Sequence, residues 1–251
     1  MKFETASLTG IGGREANQDA LGLERGKFQA WLLADGLGGH RGGDTAAKLA
    51  VEQGLRFIRA QMGDLPTLLQ GSLEAGHQAV INKALEVTEL NGMRTTAVLL
   101  LSDGHQAGWA HVGDARLYLF HKGMLIKQTR DHSVTQKLVI AGEISARDMR
   151  SDPDRNRLIR VLGQVENFKV DVCREIVKLQ AGDAFLLCSD GFWESVWEME
   201  MEVDLIKAVT PKEWLELMHI RLLKRVDGSH DNYSAIAVWV TEDTPLEEKT
   251  P

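Results

Sequence analysis

The chain has 251 residues, 29 Lys+Arg against 36 Asp+Glu for a formal charge of −7, with 43% hydrophobic and 26% charged residues. That composition predicts an ordinary soluble globular fold, and an acidic balance without any Lys/Arg cluster excludes nucleic acid as a leading partner. No stretch reaches about 18 uninterrupted apolar residues and the N-terminus has no apolar signal core, so membrane insertion and secretion by that route are not expected.

Apolar or alternating runs at residues 3–8, 19–23 and 28–34 predict strands, the last two joined through Gly26-Lys27. Residues 44–59 predict an amphipathic helix, with Ala47, Ala50, Val51, Leu55 and Ile58 at helical spacing. A second helix is expected over 66–89, with Leu69, Leu73, Gly76, Val80 and Ala84 along one side. Strands follow at 96–101, 106–112, 116–120 and 124–128, with tight connections at Asp103-Gly104 and Lys122-Gly123. A short helix over 133–142 precedes a charged, aperiodic surface flap at 144–165. Two more strands, 170–177 and 184–188, meet at Gly182-Asp183. A helix over 211–225 opens with Pro211 after Thr210, a strand fills 233–240, and an acidic tail occupies 241–251. The whole reads as one α+β layered domain over residues 1–240, with most strands pairing as antiparallel hairpins. Cys173 and Cys188 stand alone among apolar neighbours, which points to small buried side chains in a reducing cytoplasm, and the six tryptophans are expected in the core.

Two distant segments echo each other: Leu33-Ala34-Asp35-Gly36 and Cys188-Ser189-Asp190-Gly191 each end an apolar strand in Asp-Gly. A hairpin turn is the ordinary meaning of Asp-Gly, but neither pair is followed by a return strand. A carboxylate at the rim of an apolar core is rigidly held and partly desolvated, which strengthens its hold on a cation. Asp19, Asp114 and Asp231 stand at comparable strand ends, and a set of carboxylates without His or Cys at ligand spacing suits Mg²⁺ or Mn²⁺ rather than zinc. The glycine-rich run from Gly36 to Gly43 lacks the Gly-Lys-Ser/Thr of a Walker loop and fails the dinucleotide pattern at Arg41.

The ordered succession Arg14-Glu-Ala-Asn17-Gln18-Asp19, Asp35-Gly36-Leu37-Gly38-Gly39-His40, Arg94-Thr95-Thr96, His111-Val112-Gly113-Asp114-Ala115-Arg116, Thr129-Arg130-Asp131-His132-Ser133, Ser189-Asp190-Gly191 and Asp231-Asn232 resembles the PP2C (PPM) family of metal-dependent Ser/Thr protein phosphatases in its compact bacterial form. The resemblance implies a four-layer αββα fold, a central antiparallel β-sandwich flanked by helices, with the metals at one end. It implies that Asp35 bridges two Mn²⁺ or Mg²⁺ ions with the Gly36 carbonyl on one, and that Asp190 and Asp231 hold the other. Asp19 acts through bound water, and Asp114 with Asp190 serves a third, weaker ion. Arg14 matches the arginine that grips the substrate phosphate, for which a guanidinium fork is well shaped. Asp19, Asp35 and Asp190 are accordingly the expected catalytic residues. Gln18, Ala115 and Arg94 depart from commoner residues without removing a ligand. Leu37 stands where eukaryotic relatives carry a His, so no leaving-group acid transfers, and His40 is a weak substitute. The implied activity is hydrolysis of phosphoserine and phosphothreonine in proteins by water activated between two metals, opposing a bacterial Ser/Thr kinase, in a monomer. Arg147, Arg150, Arg155 and Arg157 of the flap are offered as a surface for acidic or phosphorylated segments. The rival readings are a pseudophosphatase that binds without turnover and a phosphatase for small phosphoesters.

Overall fold

The computed structural model describes residues 1–37 and 42–242. The chain begins with β1 (Lys2–Gly10), β2 (Asp19–Arg25) and β3 (Gln29–Leu37), followed by α1 (Gly43–Ala60) and α2 (Leu65–Glu86). Then come β4 (Arg94–Thr95), β5 (Ala97–Ser102), β6 (Gln106–Val112), β7 (Arg116–His121), β8 (Met124–Gln128) and α3 (Val134–Ala141). The last third holds β9 (Asp171–Val172), β10 (Val177–Lys178), β11 (Asp183–Cys188), α4 (Asp190–Trp193), α5 (Glu198–Lys207), α6 (Pro211–Arg225) and β12 (Tyr233–Thr241).

The strands form two antiparallel sheets, one ordered β1-β12-β11-β7-β8 and the other β10-β6-β5-β3-β2, with β4 beside β3 and β9 beside β6. Strand periodicity explains the layers. In β3, Ala30, Leu32 and Ala34 pack toward α1 and α2, while Trp31 and Leu33 face the other sheet. In β11, Ala184, Leu186 and Cys188 pack toward α4, α5 and α6, while Phe185 and Leu187 face inward. Both faces of the central strands are covered, which is why they read as continuous apolar runs rather than alternating ones. The result is the expected αββα arrangement.

Three hairpins form where the turn residues predicted them, between β2 and β3, β5 and β6, and β7 and β8. Gly182-Asp183 is different: it carries the chain from β10 at the edge of one sheet to β11 inside the other, so no hairpin forms there. The strand expected over 170–177 is split into β9 and β10, both on β6, around Arg174 and Glu175. The second helix ends at Glu86 rather than 89, and a 3₁₀ turn at Thr88–Leu90 follows. Helix α5 had no prediction, because Glu198-Met199-Glu200-Met201 alternates with a period of two; Glu200 caps it, its carboxylate accepting from the Trp197 N–H at 3.0 Å.

The flap is less free than its composition suggests. Residues 145–148 are exposed, but Met149, Val161 and Leu162 are buried, and Leu162 exchanges backbone hydrogen bonds with Thr95. Trp197 is 42% exposed, against the expectation of six core tryptophans, and lies under the guanidinium groups of Arg147 and Arg225. Cys188 is buried and Cys173 half-buried. Thr241 belongs to β12 rather than to a tail; residues 243–251 and His40 lie outside the described residues. Among the described residues no helix is long and apolar enough to cross a membrane.

Candidate active site

Asp19 opens β2 and lies directly opposite Asp35 on β3, so the hairpin register alone puts two carboxylates side by side. Strand β3 runs past Asp35 through Gly36 to Leu37, rather than ending at Asp-Gly, and holds β4 there. A Cβ on Gly36 would collide with the carbonyl of Gly43, which explains the glycine: the start of α1 is packed against the strand. Asp190 is the first residue of α4 rather than the last of a strand, and a Cβ on Gly191 would strike the Asn232 carbonyl. Asp114 sits in the β6–β7 connection and Asp231 just before β12. These segments bring Asp35, Gly36, Asp114, Asp190 and Asp231 to the wall of one cleft of about 630 Å³, with Asp19 immediately behind.

The electrostatics of this end are strained. Burial, and then the fields of Asp19 and Asp190, hold Asp35 well above the usual carboxylate range. Burial and Asp190 do the same to Asp114. Asp19 is pushed up to about 7 by burial against the opposing pull of the Ser234 and Ser189 hydroxyls, and Asp190 to about 6 by burial and Asp231. Glu194, one turn beyond Asp190, is raised to about 7 by burial and Asp190. Asp19 Oδ1 is buried and has no hydrogen-bond partner. Among the described residues lining the cleft, the single cation is Arg14.

Arg14 does not face the cleft unpaired. Its fork meets Asp231 bidentately, Nε to Oδ1 at 2.9 Å and Nη2 to Oδ2 at 2.7 Å, with the Arg14 side chain 53% exposed. Asn232 fixes the loop that carries Arg14: its amide donates to the Ile11 and Ala16 carbonyls, and its oxygen accepts from the Gln18 N–H. On the far wall, Asn156 and Leu158 come from the flap. The flap arginines are engaged within the molecule: Arg150 with Glu198 at 2.7 Å, Arg155 with Glu194 at 3.1 Å, Arg157 with Asp154 at 3.1 Å, and Arg147 on the Trp197 ring. Arg150 and Arg155 are thus taken up by carboxylates of a neighbouring segment, while Arg147 and Arg157 remain exposed on the flap.

A second group of ligand-type side chains, His111, His132 and Asp171, lies on β6, β9 and the segment before α3, with candidate atoms within 4.8 Å of one another. His132 Nδ1 accepts from the Gly113 N–H, so its Nε2 carries the proton and points that proton, not a lone pair, at Asp171 3.6 Å away. His111 spends Nε2 on the Arg130 carbonyl. The two rings are held by backbone hydrogen bonds to Gly113 and Arg130, and His132 Nε2 is itself buried without a hydrogen-bond partner. The acidic cleft, by contrast, offers only oxygen donors, an orphaned buried carboxylate oxygen and mutual repulsion with one arginine to offset it, a set that suits a hard divalent cation.

Sequence reasoning missed Ser234 and Glu194. Ser234 is a buried hydroxyl in an otherwise apolar strand, and that anomaly was its available signal. Glu194 carried no signal, because its partner Arg155 is 39 residues away.

An antiparallel sandwich between helix layers, with clustered aspartates at one end of the sheets, defines a scaffold with a cleft suited to a divalent cation, and comparison with known proteins narrows it. Residues 11–219 match the protein phosphatase 2C family. The serine/threonine phosphatase Stp of Listeria innocua is 36% identical over 234 residues, covering 90% of each chain. The crystal structure of the serine/threonine phosphatase Stp1 from Staphylococcus aureus superposes with a TM-score of 0.86 at 27% identity over 96% of both chains. The catalytic domain of the phosphatase PstP in complex with two manganese ions does so with a TM-score of 0.81 at 27% identity, covering 96% of this chain and 99% of that one. The chain belongs to the protein phosphatase 2C family.

Proposed function

We propose that the chain is a protein serine/threonine phosphatase that hydrolyses phosphoserine and phosphothreonine with Mn²⁺ or Mg²⁺ in the acidic cleft, opposing a Ser/Thr kinase of a bacterial cytoplasm and acting as a monomer. One observation carries it. Five aspartates from separate parts of the chain converge at one end of the sandwich, in a chain of the protein phosphatase 2C family.

Asp35 and the Gly36 carbonyl would hold one ion, Asp35 with Asp190 and Asp231 a second, and Asp114 with Asp190 a weaker third; Asp19 would orient water beside them. When bound, the ions supply Lewis acidity and an acidified water, with no covalent phosphoenzyme required. The protein's own part is positional. Arg14 presents a planar fork that fits two oxygens of a phosphate monoester as well as it fits Asp231. Asn156 and Leu158, which flank the segment carrying the Arg155–Glu194 pair, line the same cleft. Full retention of the five aspartates weighs against a binding module that has lost turnover.

The test is phosphate release with Mn²⁺ from a phosphothreonine peptide, free phosphoserine and a sugar phosphate at equal concentration. A kcat/KM on the peptide well above the other two supports the protein substrate; preference for the small esters moves the assignment to a small-phosphoester phosphatase.

A pH prediction follows from the raised carboxyls. With folded-state pKa values above those of the unfolded chain, the native protein binds more protons than the unfolded one between about pH 4 and 7, so these groups cost stability as pH rises through that window. His132, lowered to about 4 by burial and His111, works in the opposite sense, gaining stability as pH rises toward the ordinary histidine range. The metal-specific part is isolated by difference: the rise in Tm on adding Mn²⁺ should be small near pH 5 and grow up to pH 8, since binding must displace those protons. Differential scanning calorimetry with and without the metal reads it. A Tm increment independent of pH contradicts the placement of the ions among these aspartates.

A further inference from the structure

Ser189 occupies the N-cap of α4, where a serine hydroxyl ordinarily accepts from a helical N–H, yet it makes no such cap. Its hydroxyl instead donates to Asp19 Oδ2 at 2.9 Å and accepts from the Ser234 N–H at 2.9 Å. Because a carboxylate only accepts, the Ser189 hydroxyl must donate to it. The Ser234 hydroxyl is hydrogen-bonded to that of Thr9, 2.8 Å away; Thr9 in turn accepts from the Asn17 amide at 2.8 Å; and the Asn17 oxygen accepts from the Asp19 N–H at 3.1 Å. The circuit starts at the backbone of Asp19 and returns to its carboxylate. It crosses from β2 in one sheet to β1 and β12 in the other, at the end where the cleft lies.

We propose that Thr9, Ser189 and Ser234 are positioning residues, a hydroxyl ladder that clamps one oxygen of Asp19 between the sheets and so aims the other, Oδ1, at the cation site. Three observations support this over a merely cohesive network. Ser189 forgoes its cap to serve Asp19. Ser189 and Ser234 are fully buried, where an apolar residue would otherwise fill the strand. And Asp19 Oδ1 is left buried without a partner, although the Ser189 hydroxyl stands on the other oxygen of the same carboxylate. The ladder reaches the surface at Thr9, which is exposed, so its outermost rung can be cut without touching the core.

This inference rests on the metal-dependent reading above, and the experiment separates the two. Mn²⁺ affinity of the full chain is measured by isothermal titration calorimetry, alongside kcat, KM and the Tm of the metal-free protein, for wild type, Thr9→Val, Thr9→Ser and Ser189→Ala. Residues that support metal ligands typically contribute about 10- to 100-fold in metal affinity. Ser189→Ala should fall in that range and Thr9→Val near its lower end, with kcat reduced, KM for the phosphopeptide little changed and Tm close to wild type for Thr9→Val. Thr9→Ser, which keeps the hydroxyl, should restore the affinity. Wild-type binding of Mn²⁺ with the same affinity in Thr9→Val overturns the ladder alone. A wild-type protein that binds no Mn²⁺ overturns the reading beneath it and the ladder with it.

Discussion

Asp35→Asn is expected to abolish phosphatase activity while making the metal-free protein more stable. The two effects share one cause. Asp35 is half-buried opposite Asp19 and within the field of Asp190, Asp114 and Asp231, so its charge is opposed by four aspartates and offset only by the more distant Arg14 unless a metal cation stands among them. An asparagine keeps the shape, removes the charge and loses the bridging role proposed for it. A metal centre contributes several kcal/mol to the transition state, so loss of about 10³-fold in kcat is the expected scale. In the absence of metal the same substitution relieves like-charge repulsion, and Tm at pH 8 should rise above that of wild type under EDTA. Mn²⁺ should then narrow or invert the difference, because wild type gains more from it. An Asp35→Asn protein that retains activity, or that is less stable than wild type in EDTA, contradicts the assignment of Asp35 as the central ligand.

Arg116→Leu should be the most destabilising of the single substitutions considered. Arg116 and Asp131 are each only 2% exposed and pair through two hydrogen bonds of 2.8 Å. The guanidinium also lies 3.4 Å from the centroid of the Trp193 ring and donates to the Tyr118 hydroxyl at 3.1 Å. A buried pair is weak evidence of net stability, but removing one partner strands the other, at about 3–5 kcal/mol. For a chain of this size that is roughly a 10 °C fall in Tm. The double variant Arg116→Leu, Asp131→Leu removes the stranded charge and should recover part of the loss, by urea unfolding monitored through tryptophan fluorescence. The consequence for function is indirect: Trp193 donates its indole N–H to the Asp114 carbonyl at 3.0 Å, so the Arg116 stack holds the loop that carries one of the candidate ligands.

How much of this was legible in the sequence depends on the range of the interaction. Helix α6 could be read to its end residues, because Thr210 caps it and Pro211 opens it, both local signals. The Asp35 and Asp190 echo was legible because each aspartate follows an apolar run of sequence. The ordered motifs carried the fold class. What could not be read were pairings across the fold. Arg116 and Asp131 stood in two separate motifs with nothing to show that they touch. The flap arginines looked free because Glu194 and Glu198 lie some 40 to 50 residues further along the chain. Ser189 stands in the sequence only as part of the Ser-Asp-Gly motif, and the carboxylate its hydroxyl serves lies 170 residues away. Helix α5 was not legible, because Met201 and Asp204 are buried against α6 while Met199 and Ile206 face outward, and the alternating Glu and Met residues hide the helical period.

The most direct test of the account is phosphate release from a phosphothreonine peptide by the purified chain with Mn²⁺, with Mg²⁺ and with EDTA, alongside Asp190→Ala. Turnover that requires a divalent ion and disappears both in EDTA and in Asp190→Ala is the predicted result. Turnover that survives EDTA, or its absence from a wild-type protein shown to bind Mn²⁺, would contradict it.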